Sequence, residues 1–491
     1  MLIKAIVIGV YALMTLTIGW LGLRKARTFT DYFLGGRTVG PWMSAFTYAA
    51  AYFSAVLFIG FAGKIGWGFG LSGLWIALGN ALVGVLGVWG LLGDRIRRMS
   101  VELQVTTMPE FLEKRYASPF LKLIASLAVF LLLVPYSAAV FIGLSYLFKA
   151  NFGFGFGTAL LVMGLFTAFY LVLGGYKSMT MIDVVFGMIM CLGSAVLIGS
   201  TIKKIGGLGA LTSGLAAIDP KLTAPVGPGG AWPLFALVFL TSIAPFAMPQ
   251  LVQKFYAIRD RRAIRRGMIA STLFSLLIAG AAYFTGASAR LFLTPATAPA
   301  AFAGGKPVFD ILMPEFLAKV VPPSLSVLMM LLILSASMST LAALVLISSS
   351  SVVKDLYAGF VNPAVSDKTL TRMMRIMSAV FVLLSVVLAY LRPATIVAIL
   401  SVSWGAIGSF FLGPFVWGLI SRKATKFGAV GSAVLGLGTC LGLALTGMPP
   451  AEAGTIGMVV SFATTPLLSL ISWRESPAAR DAGRQRLSSE K

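Results

Sequence analysis

The sequence predicts an all-α polytopic membrane protein with about thirteen transmembrane helices. Of its 491 residues, 58% are hydrophobic and only 11% are charged, whereas a soluble globular chain carries about 25% charged residues. The mean hydropathy is +0.93. Apolar runs recur at roughly the 20 residues that a helix needs to cross a hydrocarbon core. They are long for barrel strands and lack the alternation of barrel strands, so helices are predicted.

Thirteen predicted spans follow one another along the chain. They lie at residues 4–23, 40–62, 71–93, 119–148, 156–174, 181–202, 233–252, 267–291, 322–350, 372–390, 394–419, 427–446 and 454–473. An odd number of spans places the two termini on opposite sides of the bilayer.

The basic residues predict the orientation of these spans. Twenty-nine of the 39 lysine and arginine residues fall in the loops and tail of one side, which the positive-inside rule makes cytoplasmic. We therefore expect the N-terminus outside and the C-terminus inside a cell membrane. The net charge of +23 then reflects topology and contact with anionic lipid, and no nucleic-acid partner is expected.

Two spans look broken. The seventh contains Pro245 and Pro249, each of which removes a backbone donor from a helix. The second has a less obvious break within AAAYFSA, residues 49–55. They are the first helices of two successive sets of five, and interruptions at matching positions predict an inverted-repeat transporter with its site near the bilayer midplane.

This reading divides the chain into five parts. They are an extra N-terminal helix and cytoplasmic loop (1–38), a first repeat with its outer loop (39–232), a second repeat (233–424), two C-terminal helices (425–473) and a basic cytoplasmic tail (474–491).

Polar side chains inside apolar spans mark candidate sites. Ser339 and Thr340 lie side by side in the ninth span. Together with carbonyls of unwound helix, hydroxyls can bind sodium without a buried charge. Equally, such residues pack helices and bond to the i−4 carbonyl. Asp183 is the one acidic residue within a predicted span, which indicates an ion path or a carboxylate favoured at a helix N-terminus.

Enzymatic activity is not expected. Histidine is absent, so the GLSG sequence at 70–73, which mimics a rhomboid-type nucleophile motif, lacks its usual base. An aspartyl intramembrane protease needs two opposed aspartates, and only Asp183 lies near membrane depth. The two cysteines and the missing histidines also leave no thiolate or imidazole metal site, so no cofactor is predicted beyond a coupling ion.

Several segments resemble the sodium:solute symporter family. TFTDYFLGGRTVGPWMSAFTYAAAYFSAVLFIGFAG (28–63) is similar to the first core helix of that family. Other similar segments follow in the family's order: TTMPEFLEKRY (106–116), GGYKSMTMIDVVFGMIM (174–190), PQLVQKFYAIRD (249–260) and SASMSTLAALVLISSSSVVKDLY (335–357). The resemblance runs from about residue 1 to about residue 475 and favours the proline- and pantothenate-type branch.

The resemblance implies a LeuT-like core of five plus five helices and a sodium site. The implied sodium ligands are the carbonyls of Ala50, Phe53 and Ala336 and the hydroxyls of Ser339 and Thr340. Asp183 would lie on the route by which sodium leaves. Ala342 and Ala343 stand where some members carry hydroxyls for a second sodium, which implies one sodium per solute.

A solute pocket is implied beside the sodium, lined by Tyr52, Ser54, Tyr136, Thr241, Ala244, Phe246 and Trp404. No lysine or arginine is among these residues, so backbone donors and hydroxyls would hold a carboxylate. Tyr52 replaces an acid of proline transporters, which leaves a proline-like amino acid, pantothenate and a small monocarboxylate open. The expected function is sodium-coupled import of such a solute; a proton-coupled symporter and a non-transporting sensor are the alternatives.

Overall fold

The computed structural model describes residues 2–23, 29–173 and 176–473, and these residues are almost entirely helical. The predicted tail at 474–491, the basic segment at 24–27 and Gly174 and Gly175 lie outside the described residues. In chain order the α-helices are α1 Leu2–Leu23, α2 Phe29–Leu34, α3 Pro41–Tyr52, α4 Ala62–Phe69, α5 Leu74–Gly79, α6 Asp94–Glu102, α7 Met108–Tyr116, α8 Pro119–Phe152, α9 Phe156–Leu173, α10 Tyr176–Ile205, α11 Leu208–Ile218, α12 Ala231–Ile243, α13 Pro249–Ala257, α14 Arg261–Ser288, α15 Phe309–Val320, α16 Ser326–Ser350, α17 Asp367–Leu391, α18 Ile396–Ile420, α19 Lys426–Leu445 and α20 Pro450–Trp473.

Shorter elements connect or continue these helices. Three stretches are π-helical: Val56–Phe61, Asn80–Gly93 and Ser351–Val361. Single 3₁₀ turns lie at Gly35–Arg37, Gly70–Gly73, Pro220–Thr223, Ala244–Phe246, Ala289–Leu291, Pro299–Ala301 and Pro323–Leu325. The strands β1 Phe302–Ala303 and β2 Lys306–Pro307 form one antiparallel pair.

Eleven helical runs of the described residues are long and apolar enough to cross a membrane. They are Ile3–Trp20, Val56–Glu102, Pro119–Phe152, Ser178–Ile205, Ala231–Ala257, Arg261–Leu291, Pro323–Val361, Asp367–Leu391, Ile396–Ile420, Lys426–Leu445 and Pro450–Ser472. Two predicted spans are not separate members of this set. The span at 40–62 is divided between α3 and the run Val56–Glu102, and the span at 156–174 is represented by the shorter apolar stretch Phe156–Phe169.

Burial separates inner helices from peripheral ones. In the apolar stretch of the run Pro323–Val361, 94% of the residues are buried, against 17% in Ile3–Trp20. α16 is therefore a central helix with neighbours on several sides, among them α3, α8, α10 and α17. The hydroxyls that it carries face other helices and not lipid.

Both predicted helix breaks are confirmed. α3 ends at Tyr52, and Phe53 is extended with φ −112° and ψ 137°. The seventh predicted span is divided into α12, the 3₁₀ turn Ala244–Phe246 and α13. A chain that leaves the helical conformation in the middle of a span exposes backbone groups that have no partner within the helix.

The two broken spans are joined to each other. The Val39 nitrogen, two residues before α3, donates to the Ala257 carbonyl at the end of α13 with 3.1 Å between nitrogen and oxygen. The Arg259 nitrogen donates to the Val39 carbonyl at 3.0 Å. These bonds form a parallel β-bridge, so the start of α3 and the end of α13 are held together.

The short helix α7 follows directly on Thr107. The Thr107 side chain caps it by accepting a bond from the Glu110 nitrogen at 3.2 Å, and Pro109 occupies its first turn. At its other end the Tyr116 hydroxyl donates to the Pro414 carbonyl of α18 at 2.7 Å. α7 therefore fastens one end of α18.

Candidate ion and solute site

Carbonyl oxygens converge on the hydroxyl of Thr340 where α3 ends. The Thr340 Oγ1 lies 3.5 Å from the carbonyl oxygen of Ala50, 3.3 Å from that of Ala51 and 3.1 Å from that of Phe53. Its distance from the Ala336 carbonyl oxygen, one turn earlier in α16, is 3.0 Å. Thr340 is fully buried, so its hydroxyl and these carbonyl oxygens are not exposed to bulk water.

This arrangement contains more acceptors than donors. A hydroxyl carries one proton and can satisfy one acceptor, whereas four carbonyl oxygens surround the Thr340 hydroxyl. The carbonyls of Ala50, Ala51 and Phe53 stand at the C-terminal end of α3, where the helix dipole is negative. Such a site favours a cation.

The spacing of the oxygens fits an ion of the size of sodium. Na⁺ is close in size to Ca²⁺, which binds oxygens at about 2.3–2.6 Å. Neighbouring oxygens of an octahedral shell with that radius lie about 3.3–3.7 Å apart. The carbonyls of Ala50 and Ala51 already lie at such distances from the Thr340 Oγ1, so small shifts are enough to admit the ion.

Ser339 contributes the other predicted hydroxyl. Its Oγ is buried and has no hydrogen-bond partner. Ser339 lies near Asp183 of α10, as does Thr47 of α3. The Asp183 carboxylate and the Thr47 hydroxyl are also buried without hydrogen-bond partners. The structure therefore brings the predicted exit residue Asp183 beside the predicted sodium ligand Ser339.

Ser337 explains part of the hydroxyl content of α16. Its Oγ accepts a bond from the Ala55 nitrogen at 2.9 Å and donates to the Ile333 carbonyl at 2.6 Å. The Ala55 nitrogen belongs to the second half of the broken span, so Ser337 satisfies a donor that the break exposes. This role leaves no signal in the sequence, because a serine that faces a helix break cannot be distinguished there from any packed serine.

A small cavity lies beside the helix break. Its volume is ≈ 30 Å³, room for about two water molecules, so a bound solute requires the walls to move apart. Five of the predicted solute residues line it, namely Tyr52, Ser54, Tyr136, Thr241 and Trp404. The remaining lining residues are Phe53, Val56, Leu57, Phe61, Asn80, Tyr283 and Leu400.

Two predicted solute residues lie elsewhere. Ala244 and Phe246 are not among the cavity-lining residues. They belong to a 3₁₀ turn, in which successive side chains are spaced differently from those of an α-helix. Phe246 packs instead beside Gly87.

Aromatic rings and uncharged polar groups define the cavity wall. Tyr52 stacks on Trp404 with 5.8 Å between ring centroids, and Tyr136 meets Trp404 edge to face at 5.7 Å. The Tyr52 hydroxyl donates to the Thr241 carbonyl, which ties the two broken spans together at the cavity. The Trp404 Nε1 is buried, and the Trp404 ring is in contact with Tyr136.

A buried acidic residue, Asp310, connects α15 to the start of α18. Asp310 lies in α15, which packs on α4 and on Val56–Phe61. Its Oδ2 accepts a bond from the Ile396 nitrogen at the start of α18 with 3.3 Å between nitrogen and oxygen. Burial raises the pKa of Asp310 to about 6, while the Ile396 nitrogen and Lys64 counteract part of that rise.

We expect Asp310 to make stability depend on pH. The carboxyl pKa is higher in the folded protein than its ordinary value of 3.8, so the folded state binds the proton more tightly. The stability that this proton binding supplies is fully present below about pH 4 and is lost as pH rises through about 6. When the pH is lowered from 7.5 to 5, the unfolding free energy of the wild type should therefore increase by about 1 kcal/mol relative to that of Asp310→Asn.

Thermal unfolding in detergent at several pH values measures this effect. Glu315→Gln removes an acidic group from the same helix and controls for the change in net charge. Parallel pH curves for the wild type and Asp310→Asn would contradict the prediction.

Comparison with known proteins gives a consistent result. The model of the sodium:solute symporter family matches residues 32–436. The sodium/pantothenate symporter of Haemophilus influenzae is 28% identical over 431 residues, which cover 86% of each chain. The osmoregulated proline transporter OpuE of Bacillus subtilis is 26% identical over 488 residues, covering 96% of this chain and 95% of its own.

A solved structure extends the comparison to three dimensions. The substrate-bound outward-open state of a Na⁺-coupled sialic acid symporter matches with a TM-score of 0.80 and 19% identity, over 96% of this chain and 97% of the other. At that identity the likeness shows the fold. The expected all-helical, LeuT-like membrane fold is confirmed.

Proposed function

Because the chain belongs to the sodium:solute symporter family, we propose that it imports a small organic solute together with sodium by alternating access. The observation that carries this proposal is the group of carbonyl oxygens around the Thr340 hydroxyl. The proposed sodium ligands are the carbonyls of Ala50, Phe53 and Ala336 and the hydroxyls of Ser339 and Thr340. The Ala51 carbonyl, 3.3 Å from Thr340, is an additional candidate.

Sodium would couple the two helices that carry its ligands. A bound ion holds the end of α3 against α16, and Phe53, whose carbonyl faces the ion, also lines the solute cavity. Ion and solute then favour the same arrangement of the broken span, which is the thermodynamic requirement for coupling. We propose one sodium per solute because Ala342 and Ala343 carry no hydroxyls for a second ion.

We propose the finer architecture on the same basis. The eleven long apolar runs become thirteen membrane-crossing segments in two steps. α3, Val56–Phe61 and α4 together count as one broken span, separate from the rest of the run Val56–Glu102, and α9 counts as a further span. The five helices that begin with α3 and the five that begin with α12 form the inverted repeats. The basic loops place the N-terminus outside and the C-terminus in the cytoplasm.

The solute should be small, partly apolar and without a need for a cationic partner. No lysine or arginine is among the residues that line the described cavity, while the uncharged polar residues Tyr52, Ser54, Asn80, Tyr136, Thr241 and Trp404 are. These groups suit a carboxylate held by neutral donors, beside aromatic rings that cover an apolar part. A proline-like amino acid, pantothenate and a small monocarboxylate fit this description.

Uptake in proteoliposomes tests the proposal. Labelled proline, pantothenate and pyruvate are offered with an inward sodium gradient, with a proton gradient, or with potassium replacing sodium. We expect accumulation of at least one solute that requires the sodium gradient and is absent from protein-free liposomes. Equal uptake with proton and sodium gradients would support a proton symporter, and no uptake with no response to sodium would support a sensor.

A further inference from the structure

Two opposite charges are buried close to each other without forming a contact. Asp183 of α10 is 0% exposed and Lys254 of α13 is 1% exposed. Within the part of the chain that the structure describes, neither the carboxylate nor the ammonium group forms a hydrogen bond, yet each is within electrostatic reach of the other. A buried charge without a partner is costly in a membrane protein and marks a functional group. Each group therefore needs a partner that it meets in some state of the protein.

The surroundings of Lys254 keep its ammonium group beside α10. The Nζ lies 5.1 Å from the ring centroid of Tyr176, a cation–π contact that holds a cation without neutralising it. Tyr176 and Asp183 are seven residues apart in the same helix, which places them on one face two turns apart. The Lys254 ammonium group is thus held on the Tyr176 ring, from which a change of side-chain conformation can bring it to Asp183.

On its other side, Asp183 faces the proposed sodium site. The hydroxyls of Ser339 and Thr47 are near its carboxylate. A sodium ion that leaves Thr340 by way of Ser339 meets this carboxylate next. The Asp183 carboxylate can therefore interact with either of two cations, a sodium ion from the proposed site or the ammonium group of Lys254.

We propose that Lys254 competes with sodium for Asp183 and so drives release of the ion. This inference rests on the proposed sodium coupling. When sodium reaches Asp183, the nearby ammonium group weakens its binding by like-charge repulsion, which is large where water is excluded. As the ion departs, the Lys254 ammonium group pairs with the Asp183 carboxylate and neutralises its charge in the sodium-free protein.

The backbone connects this exchange to the broken helices. Lys254 lies three residues before Ala257, whose carbonyl is bonded to Val39 at the start of α3. A movement of Lys254 toward Asp183 is therefore transmitted to the helix whose end supplies the proposed sodium ligands. Lys254 acts through Asp183 and α3 and is a positioning residue for release of the ion.

Sodium binding to the purified full chain tests the inference, with ²²Na⁺ as the only probe. Lys254→Gln should lower the sodium dissociation constant about tenfold and slow dissociation of the bound ion. Lys254→Arg, which keeps the charge, should stay within about twofold of wild type. Lys203→Gln removes the same charge from the exposed end of α10 and should also stay within about twofold.

A double-mutant cycle with Asp183→Asn separates competition from a structural role. In the Asp183→Asn background, Lys254→Gln should no longer change the sodium dissociation constant, because the group competed for is gone. A structural role would leave the effect of Lys254→Gln equal in both backgrounds and would overturn the inference. If Lys254→Gln is not monodisperse, Lys254→Met removes the same charge with an unbranched apolar side chain, and the same outcomes apply.

The wild type decides which proposal fails. Saturable sodium binding by the wild type and an unchanged dissociation constant in Lys254→Gln would overturn the role of Lys254 alone. No saturable sodium binding by the wild type would overturn the proposed sodium coupling and this inference with it.

Discussion

Replacing Thr340 with alanine should strongly impair sodium-driven uptake while leaving a folded protein. The substitution removes a hydroxyl that lies within 3.5 Å of the carbonyl oxygens of Ala50, Ala51 and Phe53. An interaction between a polar group and a charge contributes about 1.5–3 kcal/mol, so sodium affinity should fall roughly 10- to 100-fold. Ser339→Ala should have an effect of the same direction, because it removes the second hydroxyl.

Two measurements check the prediction. The sodium concentration for half-maximal uptake should rise, and the stabilisation of the wild type by sodium relative to potassium in a thermal-unfolding assay should disappear. Thr340→Ser, which keeps the hydroxyl, should retain most activity. Thr201→Ala is a matched control, since Thr201 is also fully buried and donates to the i−4 carbonyl, but lies away from the helix break. Normal sodium dependence in Thr340→Ala would contradict the proposed site.

The break in the second span shows how far the sequence leads. Small residues around Tyr52 and the resemblance to a family predicted the interruption, and the structure has Phe53 in an extended conformation at that place. The Ala51 carbonyl was missed because which oxygens turn toward α16 depends on how the last helical turn unwinds. That geometry depends on the packing of α3 against α16, and it cannot be inferred from the residue types alone.

Long-range pairs were the other gap. Lys254 and Asp183 are separated by 71 residues, so their proximity follows from the fold, in which α13 and α10 both pack on α3 and α16, and not from any local pattern. Asn80 was missed for the same reason, since it is an amide within an apolar run until the fold places it on the cavity wall. The resemblance also implied Ala244 and Phe246, which belong to the 3₁₀ turn between α12 and α13 and are not among the residues that line the described cavity.

Gly66→Ala should severely destabilise the protein, because two helices cross at this residue with their backbones in contact. A Cβ on Gly66 of α4 would lie far inside van der Waals contact with the backbone of Gly286 in α14. A Cβ on Gly286 would likewise overlap the carbonyl of Ala62. Small residues four apart allow this close approach of membrane helices. Backbone atoms cannot rotate away as a side chain can, so the helices must separate at a cost of about 3 kcal/mol or more.

Gly68→Ala is the matched control for this prediction. Gly68 lies in the same helix two residues later, and a Cβ there would meet nothing within 4 Å. Alanine has the higher helix propensity, by about 1 kcal/mol, so this variant should be as stable as the wild type or more stable. Thermal unfolding of detergent-purified protein compares the two, and equal melting temperatures of Gly66→Ala and Gly68→Ala would contradict a rigid crossing.

α4 continues the broken span beyond the proposed sodium ligands. If sodium binding moves α3, as proposed, the Gly66 contact keeps α4 fixed on α14, so the two halves of the broken span move relative to each other.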